Sequence, residues 1–302
     1  FYQLDFEMSF AEQEDVFKVL EDIFTTVFKE HTTWKVDEAP FRRIPYREAM
    51  EKYGIDKPDL RNPLIIQDAT KLFANTEFNA FKDKTIKIIV VPNGASQGRK
   101  FFDSMTDFAK EEAGANGLAW VKVEETGYTG GIAKFITEDM QEELAKEYSV
   151  KANDAIFFVA DEFLKAQKIA GQIRIELGKR LELIEKNVYK FCFITDFPMY
   201  ELSDEGTIDF NHNPFSMPQG GRVALENKDP LDILAYQYDV VCNGYEMASG
   251  AVRNHDPELM VKAFEIAGYS EKEVETRFGA LYNAFQYGTP PHAGAAPGLD
   301  RM

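Results

Sequence analysis

The 302-residue sequence predicts an α+β protein in which one domain is interrupted by another. Segments near both ends of the chain alternate apolar and polar residues, which is typical of antiparallel strands with one face packed on a core. The middle instead alternates buried strands with helices over about 115 residues, enough for an α/β or α+β domain of its own. We therefore predict an outer domain formed by residues 1–67 and 184–302, and an inserted domain of α/β type at 68–183.

Composition narrows the class of protein further. No apolar run reaches the roughly 18 residues that a membrane helix needs. Phe1–Phe10 alternates like a strand and not like a signal peptide, so we expect the sequence to begin inside a larger protein. Cys192 and Cys242 lie in apolar segments, which favours buried free thiols and a cytoplasmic location. The formal charge of −17 argues against a broad nucleic-acid-binding face.

The outer domain begins with a strand and two helices. Ser9 and Glu12 form a candidate capping box, and the apolar stripe from Val16 to Phe28 predicts a long helix after it. A polar segment with prolines then holds a short helix at 46–53.

The remaining elements follow from hydrophobic periodicity. In the insertion, strands are predicted at 86–91, 118–123 and 155–160, and helices at 100–112, 137–148 and 163–184. After the insertion, a strand is predicted at 189–197 and helices at 256–267 and 271–285.

The segment YDVVCNGYEMASGAVRNH, residues 238–255, carries the strongest local signal. Asn243-Gly244 between two alternating apolar runs predicts a tight β-hairpin. With a two-residue loop, Val241 stands opposite Glu246 and Asp239 opposite Ala248, and all four share one face. Asp239 and Glu246 then form a diagonal pair about 7–8 Å apart.

Two carboxylates this close repel each other unless a cation or a proton lies between them. Oxygen ligands that converge from two strands suit Mg²⁺ that also holds the phosphates of a substrate. The plain alternative is a surface hairpin whose charges are solvated.

Arg253 does not fit a regular strand, because it follows Glu246 by seven residues and would point to the other face. Glycine inside a strand often marks a bulge that re-aims the next side chain. We therefore predict a bulge or irregular turn at 248–250 that puts Arg253 on the acidic face. A regular ladder through Gly250 would contradict this prediction.

Several segments together resemble the bacterial-type aspartyl-tRNA synthetases, a family of class II aminoacyl-tRNA synthetases. FYQLDFEMSF is similar to the end of the second signature motif, and PPHAGAAPGLDR is similar to the third. HNPF and YDVVCNGYEMASGAVR are similar to active-site segments between them, and YGIDKPDLRNP also matches. The insertion at 68–183 is similar to the one that this family calls the GAD domain. The resemblance covers the whole chain, which starts inside the second motif and ends in the third.

The resemblance implies a homodimer whose catalytic domain is an antiparallel sheet flanked by helices. These enzymes join L-aspartate to ATP in the presence of Mg²⁺ and pass the aspartyl group to tRNA for aspartate, in some members also to tRNA for asparagine. The site residues that it implies are Asp239 and Glu246 for Mg²⁺ and the ATP phosphates; Arg253 for the side-chain carboxylate of aspartate; Gln3, Asp5 and His212 for the rest of the aspartate pocket; and Gly298, Leu299, Asp300 and Arg301 for ATP. Among these, Arg253 and Glu246 are expected to carry catalysis.

Two other functions stay open at this point. A ligase of the same fold passes activated aspartate to ammonia, but that smaller enzyme lacks an insertion. A non-catalytic relative would bind only tRNA or a partner. The sequence argues against it by its opposed charges, because a site that has lost its catalytic function has no need to keep them together. These charges are those of Asp239, Glu246, Arg253 and Arg301.

Overall fold

The computed structural model describes the whole chain, residues 1–302, and divides into two compact units. The first unit combines Phe1–Arg47 with Asn187–Met302, and the second is Glu48–Lys186. The insertion predicted at 68–183 lies within the second unit, which begins earlier in the chain.

The strands include one long hairpin and several pairs of short strands. In chain order they are β1 (Phe6–Ser9), β2 (Lys35–Val36), β3 (Arg42–Pro45), β4 (Ile66–Asp68), β5 (Thr85–Val91), β6 (Ala119–Glu124), β7 (Gly127–Thr129), β8 (Ala155–Asp161), β9 (Val188–Tyr189), β10 (Phe191–Thr195), β11 (Phe197–Pro198), β12 (Tyr200–Leu202), β13 (Ile208–Phe210), β14 (Leu234–Ala235), β15 (Gln237–Cys242), β16 (Tyr245–Val252) and β17 (His292–Pro297). The strand predicted at 189–197 is thus divided into three.

The predicted helices are all present, with small shifts at their ends. The helices of the structure are α1 (Gln13–His31), α2 (Tyr46–Tyr53), α3 (Arg99–Glu111), α4 (Glu138–Glu147), α5 (Phe163–Arg180), α6 (Gly221–Asn227), α7 (Pro257–Ile266) and α8 (Glu271–Phe285), of which α6 is not predicted from the sequence. The capping box before α1 is formed by Glu12 and Asp15, and not by Ser9 and Glu12 as predicted. Ser9 is taken up by β1, so it is too early in the chain to cap a helix that begins at Gln13.

The first unit is built on a six-stranded sheet in the order β1-β17-β16-β15-β10-β3. Every pair is antiparallel except the edge pair β10–β3, which is parallel, so the sheet is mixed where an antiparallel one is predicted. One face packs on α1, where the ring of Phe17 stacks on Phe193 at 3.8 Å and meets Tyr238 edge-on at 4.9 Å. The sheet therefore has one apolar face, and its opposite face is left for polar side chains.

The second unit contains a five-stranded sheet in the order β4-β5-β8-β6-β7. All of its pairs are antiparallel, so of the two classes that the segment allowed the domain is α+β, and its assignment to the α/β type is wrong. The reason is that β8 inserts between β5 and β6, which run in the same direction as each other and opposite to β8. The order of strands and helices along the chain is the same for a parallel and for an antiparallel sheet.

The two cysteines match the expectation of buried free thiols. Cys192 and Cys242 are both buried and free, and burial raises the pKa of the Cys192 thiol to about 12. No helix combines the length and the hydropathy needed to cross a membrane.

Candidate active site

The hairpin of β15 and β16 turns at Asn243 and Gly244. Their φ angles of 51° and 87° are those of the predicted two-residue loop, which needs positive φ at both positions. Val241 pairs with Glu246, as predicted.

The ladder then shifts by one residue at Met247, which is left unpaired. The bulge predicted at 248–250 is therefore wrong in position, because pairing is regular through Gly250. Gly250 has a different requirement: a Cβ there would collide with the Gly294 carbonyl and would lie 2.6 Å from the Tyr238 ring.

The shift changes which residues share a face. Asp239 pairs with Ser249, and Ala248 belongs to the apolar core shared with α1, so the predicted pairing of Asp239 with Ala248 is wrong. Beyond the bulge, the alternation puts Ser249 and then Arg253 on the side of Glu246. Arg253 thus reaches the acidic face as predicted, through a bulge at another residue.

Arg253 is held by a carboxylate from β1. Its Nε and Nη2 donate to Oε1 of Glu7 at 3.0 and 2.6 Å, and its backbone N–H donates to the His292 carbonyl at 2.9 Å. Gly294 lies beneath the carboxylate, since a Cβ there would be 2.5 Å from Cδ of Glu7. The guanidinium is oriented from one side only, and its remaining N–H groups are available for a second acceptor.

Gln3 and Asp5 precede Glu7 on the same extended segment. Gln3 bridges to Gly298 and Phe6 pairs with Ala295, which is one continuous antiparallel register. Side chains alternate along such a segment, so Gln3 and Asp5 lie on the face of Glu7. The residues predicted for the aspartate pocket are brought to the face that carries Arg253.

The C-terminal segment packs against both the bulge and the start of the chain. The Gly298 amide donates to the Met247 carbonyl at 2.9 Å, and the Leu299 amide donates to the Tyr2 carbonyl at 2.9 Å. The Tyr2 amide in turn donates to Oδ2 of Asp300 at 2.6 Å. Three of the residues predicted for ATP are therefore fixed mainly through the backbone.

Arg301 lies beside Glu246. Its Nη1 donates to the Glu246 carbonyl and is 3.8 Å from the Glu246 carboxylate. The Arg301 side chain is 56% exposed, so more than half of its surface is open to a ligand. The predicted ATP and metal residues thus meet at the bulged end of β16.

His212 lies on an exposed loop that Gln237 ties to the sheet. Oε1 of buried Gln237 accepts hydrogen bonds from the Asn213 amide at 3.3 Å and from the Ser216 hydroxyl at 3.5 Å. Gln237 precedes Asp239 by two residues and shares its face. The loop is therefore anchored to the same face as the acids and Arg253.

Asp239 and Glu246 are the pair predicted to hold a metal. Asp239 is buried and the Glu246 side chain is 33% exposed. No cluster of three or more His, Cys, Asp or Glu side chains could hold a metal ion. Two carboxylates fit Mg²⁺, which takes few protein ligands and fills its shell with water and phosphate oxygens.

The profile of one family, described as tRNA synthetases class II (D, K and N), matches residues 1–302. The chain belongs to this family. The resemblance found in the motifs is thereby confirmed, and the sheet and helices of the first unit belong to a class II synthetase fold.

This class II synthetase is 55% identical over 304 residues to a protein named Aspartate--tRNA ligase from Streptomyces coelicolor. It is 52% identical over 313 residues to one named Aspartate--tRNA(Asp/Asn) ligase from Rickettsia bellii. Each alignment covers 100% of this chain and 52% of the relative, so the chain spans about half the length of these proteins. A solved aspartyl tRNA synthetase from Entamoeba histolytica aligns over 99% of this chain and 39% of its own with a TM-score of 0.40 and 17% identity, a likeness too low to carry an argument.

Two residues of the candidate site were not found from the sequence, Glu7 and Gln237. Glu7 had a signal, because it continues the alternation of Gln3 and Asp5 along one strand. Gln237 had a weaker one, its position two residues before Asp239. Its partners on the His212 loop are distant in sequence, so only the folded chain shows what it does.

Proposed function

We propose that this synthetase is an aspartate–tRNA ligase, which activates L-aspartate with ATP and passes the aspartyl group to the 3′ end of tRNA for aspartate. The observation that carries the proposal is the Arg253 guanidinium, held by Glu7 with donors to spare on an otherwise acidic face. A fixed guanidinium is complementary to the side-chain carboxylate of aspartate. The similarity to proteins with that name supports the same function.

Arg253 would select aspartate against asparagine. A carboxylate gives the guanidinium a charged acceptor, whereas the neutral amide of asparagine leaves that charge without a partner. Gln3 and Asp5 would line the rest of the pocket, where the Asp5 carboxylate attracts the α-ammonium group. His212 would close over the amino acid from its loop.

ATP would lie at the bulged end of β16. Arg301 would stack on the adenine ring, and Gly298, Leu299 and Asp300 would shape the site around the nucleotide. Asp239 and Glu246 would hold Mg²⁺, which supplies positive charge to the phosphates when it is bound.

The chemistry needs alignment and charge neutralisation more than acid–base catalysis. An oxygen of the aspartate α-carboxylate attacks the α-phosphorus, a new P–O bond forms, and the bond to pyrophosphate breaks. In the second step a terminal ribose hydroxyl of the tRNA attacks the aspartyl carbonyl and AMP leaves. Arg253 fixes the attacking amino acid, and Arg301 fixes the nucleotide.

Further parts of the proposal concern the acceptor, the assembly and the location. tRNA for asparagine is a second candidate acceptor, because the similar Rickettsia protein is named for both Asp and Asn. We propose a homodimer, which the exposed rings of Phe1, Tyr2 and Phe10 beside edge strand β1 support. A cytoplasmic location fits two free thiols.

The test is ATP–pyrophosphate exchange by the full-length protein, with aspartate, asparagine and glutamate. Exchange is expected with aspartate alone. Arg253→Ala is expected to lower kcat/KM for aspartate by a factor equivalent to about 2–5 kcal/mol of transition-state stabilisation. Arg222→Ala is the matched control, because this exposed arginine of α6 pairs with Glu258. A folded wild-type protein that binds ATP and exchanges with none of the three amino acids would favour the non-catalytic alternative.

A further inference from the structure

The second unit contains a cavity of about 700 Å³ whose lining includes none of the residues assigned to the active site. It opens at the end of the five-stranded sheet where β6 begins and β8 ends. Aromatic rings and ammonium groups share its lining, from Phe78, Trp120, Phe135, Lys84, Lys110 and Lys134. A cavity of this volume has room for a ligand of nucleotide size.

The charge of the cavity is opposite to that of the chain. Its lining contains no Asp or Glu, although the sequence has 51 acidic residues and a formal charge of −17. Another cleft of the same unit, around Glu142 and Glu143, is lined mostly by acids. Lys84 pairs with Glu162 at 2.6 Å, whereas Lys110 and Lys134 form no ion pair within the chain. These two lysines make the cavity attractive to an anion.

The rings are held in place by packing. Phe78 and Phe135 stack at 4.7 Å with an interplanar angle of 27°, and Trp120 stacks on Phe102 at 4.2 Å. The backbone at Gly130 is pressed against Trp120, because a Cβ there would collide with the indole ring. Phe78 and Phe135 belong to the apolar core on one face of the sheet and Trp120 to the core on the other face, so the rings border the cavity from both faces and each is held by its own core.

We propose that this cavity binds one unpaired nucleotide of the tRNA, with the base against the rings and the phosphate beside Lys110 and Lys134. Aromatic rings next to lysines recognise the two parts of a nucleotide, a flat base and an anionic backbone. The proposal rests on the proposed function for the identity of the RNA. It is independent of the activation step, which needs no tRNA.

The test uses the full-length protein and a tRNA transcript that carries 4-thiouridine for photo-crosslinking. Lys110→Glu/Lys134→Glu is expected to raise the KM for tRNA roughly tenfold through lost phosphate contacts, and to remove crosslinks to residues 116–135. Exchange without tRNA should be unchanged. Lys151→Glu/Lys168→Glu is the matched control, with the same change of charge on exposed lysines of this unit outside the lining.

Three results would overturn the proposal. One is an equal loss of tRNA affinity in both double variants, and another is a crosslink pattern with nothing at 116–135. The third is photolabelling of the cavity by 8-azido-AMP while the KM for tRNA stays unchanged in Lys110→Glu/Lys134→Glu, which would assign the cavity to a free nucleotide. Failure of exchange in the wild type would count against the proposed function instead.

Discussion

Two arginines, one in each unit, are held in opposite ways. Arg174 on α5 is fully buried and donates to the backbone carbonyls of Asp59, Asn62 and Leu64. Burial lowers the pKa of its guanidinium to about 10. The Arg253 side chain is 20% exposed and donates to one carboxylate, that of Glu7.

The difference separates a structural arginine from one prepared for a ligand. The acceptors of Arg174 belong to the segment 59–64, which it binds to α5, so this segment is part of the second unit. Arg253 has a charged partner on one side and unused donors on the other. Loss of Arg174 should therefore affect folding, and loss of the support around Arg253 should affect substrate use.

The largest expected effect is that of Arg174→Met on stability. Two buried carbonyls and a partly buried one would lose their donor, so the free energy of unfolding should fall by about 3–5 kcal/mol. Urea unfolding measures this, and exchange by the protein that remains folded should be normal. Arg180→Met, at a more exposed ion pair with Glu176 on the same helix, is the control and should cost about 0.5 kcal/mol or less. A similar loss of unfolding free energy in Arg174→Met and Arg180→Met would contradict the structural role of Arg174.

Glu7→Gln should affect activity and not stability. The guanidinium of Arg253 would lose a charge-assisted acceptor. The value of kcat/KM for aspartate in exchange should therefore fall by a factor equivalent to about 1.5–3 kcal/mol. Unfolding in urea should change little, because the Glu7 side chain is 46% exposed. Glu14→Gln, which breaks an exposed pair with Arg43, is the matched control. Unchanged exchange in Glu7→Gln would show that Arg253 needs no support.

Gln237→Leu should have a smaller effect, on the loop that carries His212. Two hydrogen bonds to that loop would be lost. The value of kcat/KM for aspartate should fall by a factor equivalent to about 1 kcal/mol, mainly because KM rises. Ser216→Ala removes only the longer of the two bonds and should raise the KM for aspartate by a smaller factor. A normal KM in both variants would mean that the loop is held by other contacts.

The smallest expected effect concerns the ion pair of Lys87 and Asp68 in the second unit, 2.9 Å apart. Burial opposes ionisation of Asp68, but hydrogen bonds from Lys87 and Thr70 outweigh it and lower the pKa. A lowered folded pKa contributes stability above the unfolded pKa of about 4, which is lost as the pH falls through the folded value. Asp68→Asn should therefore lower urea stability by about 1 kcal/mol at pH 7, discounted for its exposure. The difference between variant and wild type should shrink as the pH falls below about 4, and a constant difference would contradict this.

Local sequence signals predicted the hairpin loop, seven of the eight helices, and Asp239, Glu246 and Arg253 on one face. Asn243-Gly244 fixed the turn because few residues accept positive φ. The bulge was predicted from glycine, but Gly250 serves close packing against Gly294 and Tyr238. Met247 has no local signal for a bulge, and its unpaired state follows from the pairing of β16 with both neighbours.

The order of the strands in the sheet of the second unit was also not predicted. The alternation of strands and helices at 68–183 is compatible with parallel and antiparallel sheets, and the choice depends on where β8 inserts. That insertion is a long-range pairing without a local pattern in the sequence. Glu7 and Gln237 escaped prediction for a related reason, since their partners, Arg253 and the His212 loop, come from other parts of the chain.

The unpaired residue at Met247 makes the length of β16 more important than its composition. Because a strand repeats every two residues, insertion of one residue between Ser249 and Arg253, where the pairing is regular, would exchange the two faces of everything beyond it. The arginine would turn toward α1, and an apolar neighbour would turn toward the acids. Substitutions in this stretch would change the site gradually, whereas such an insertion would remove the site at once.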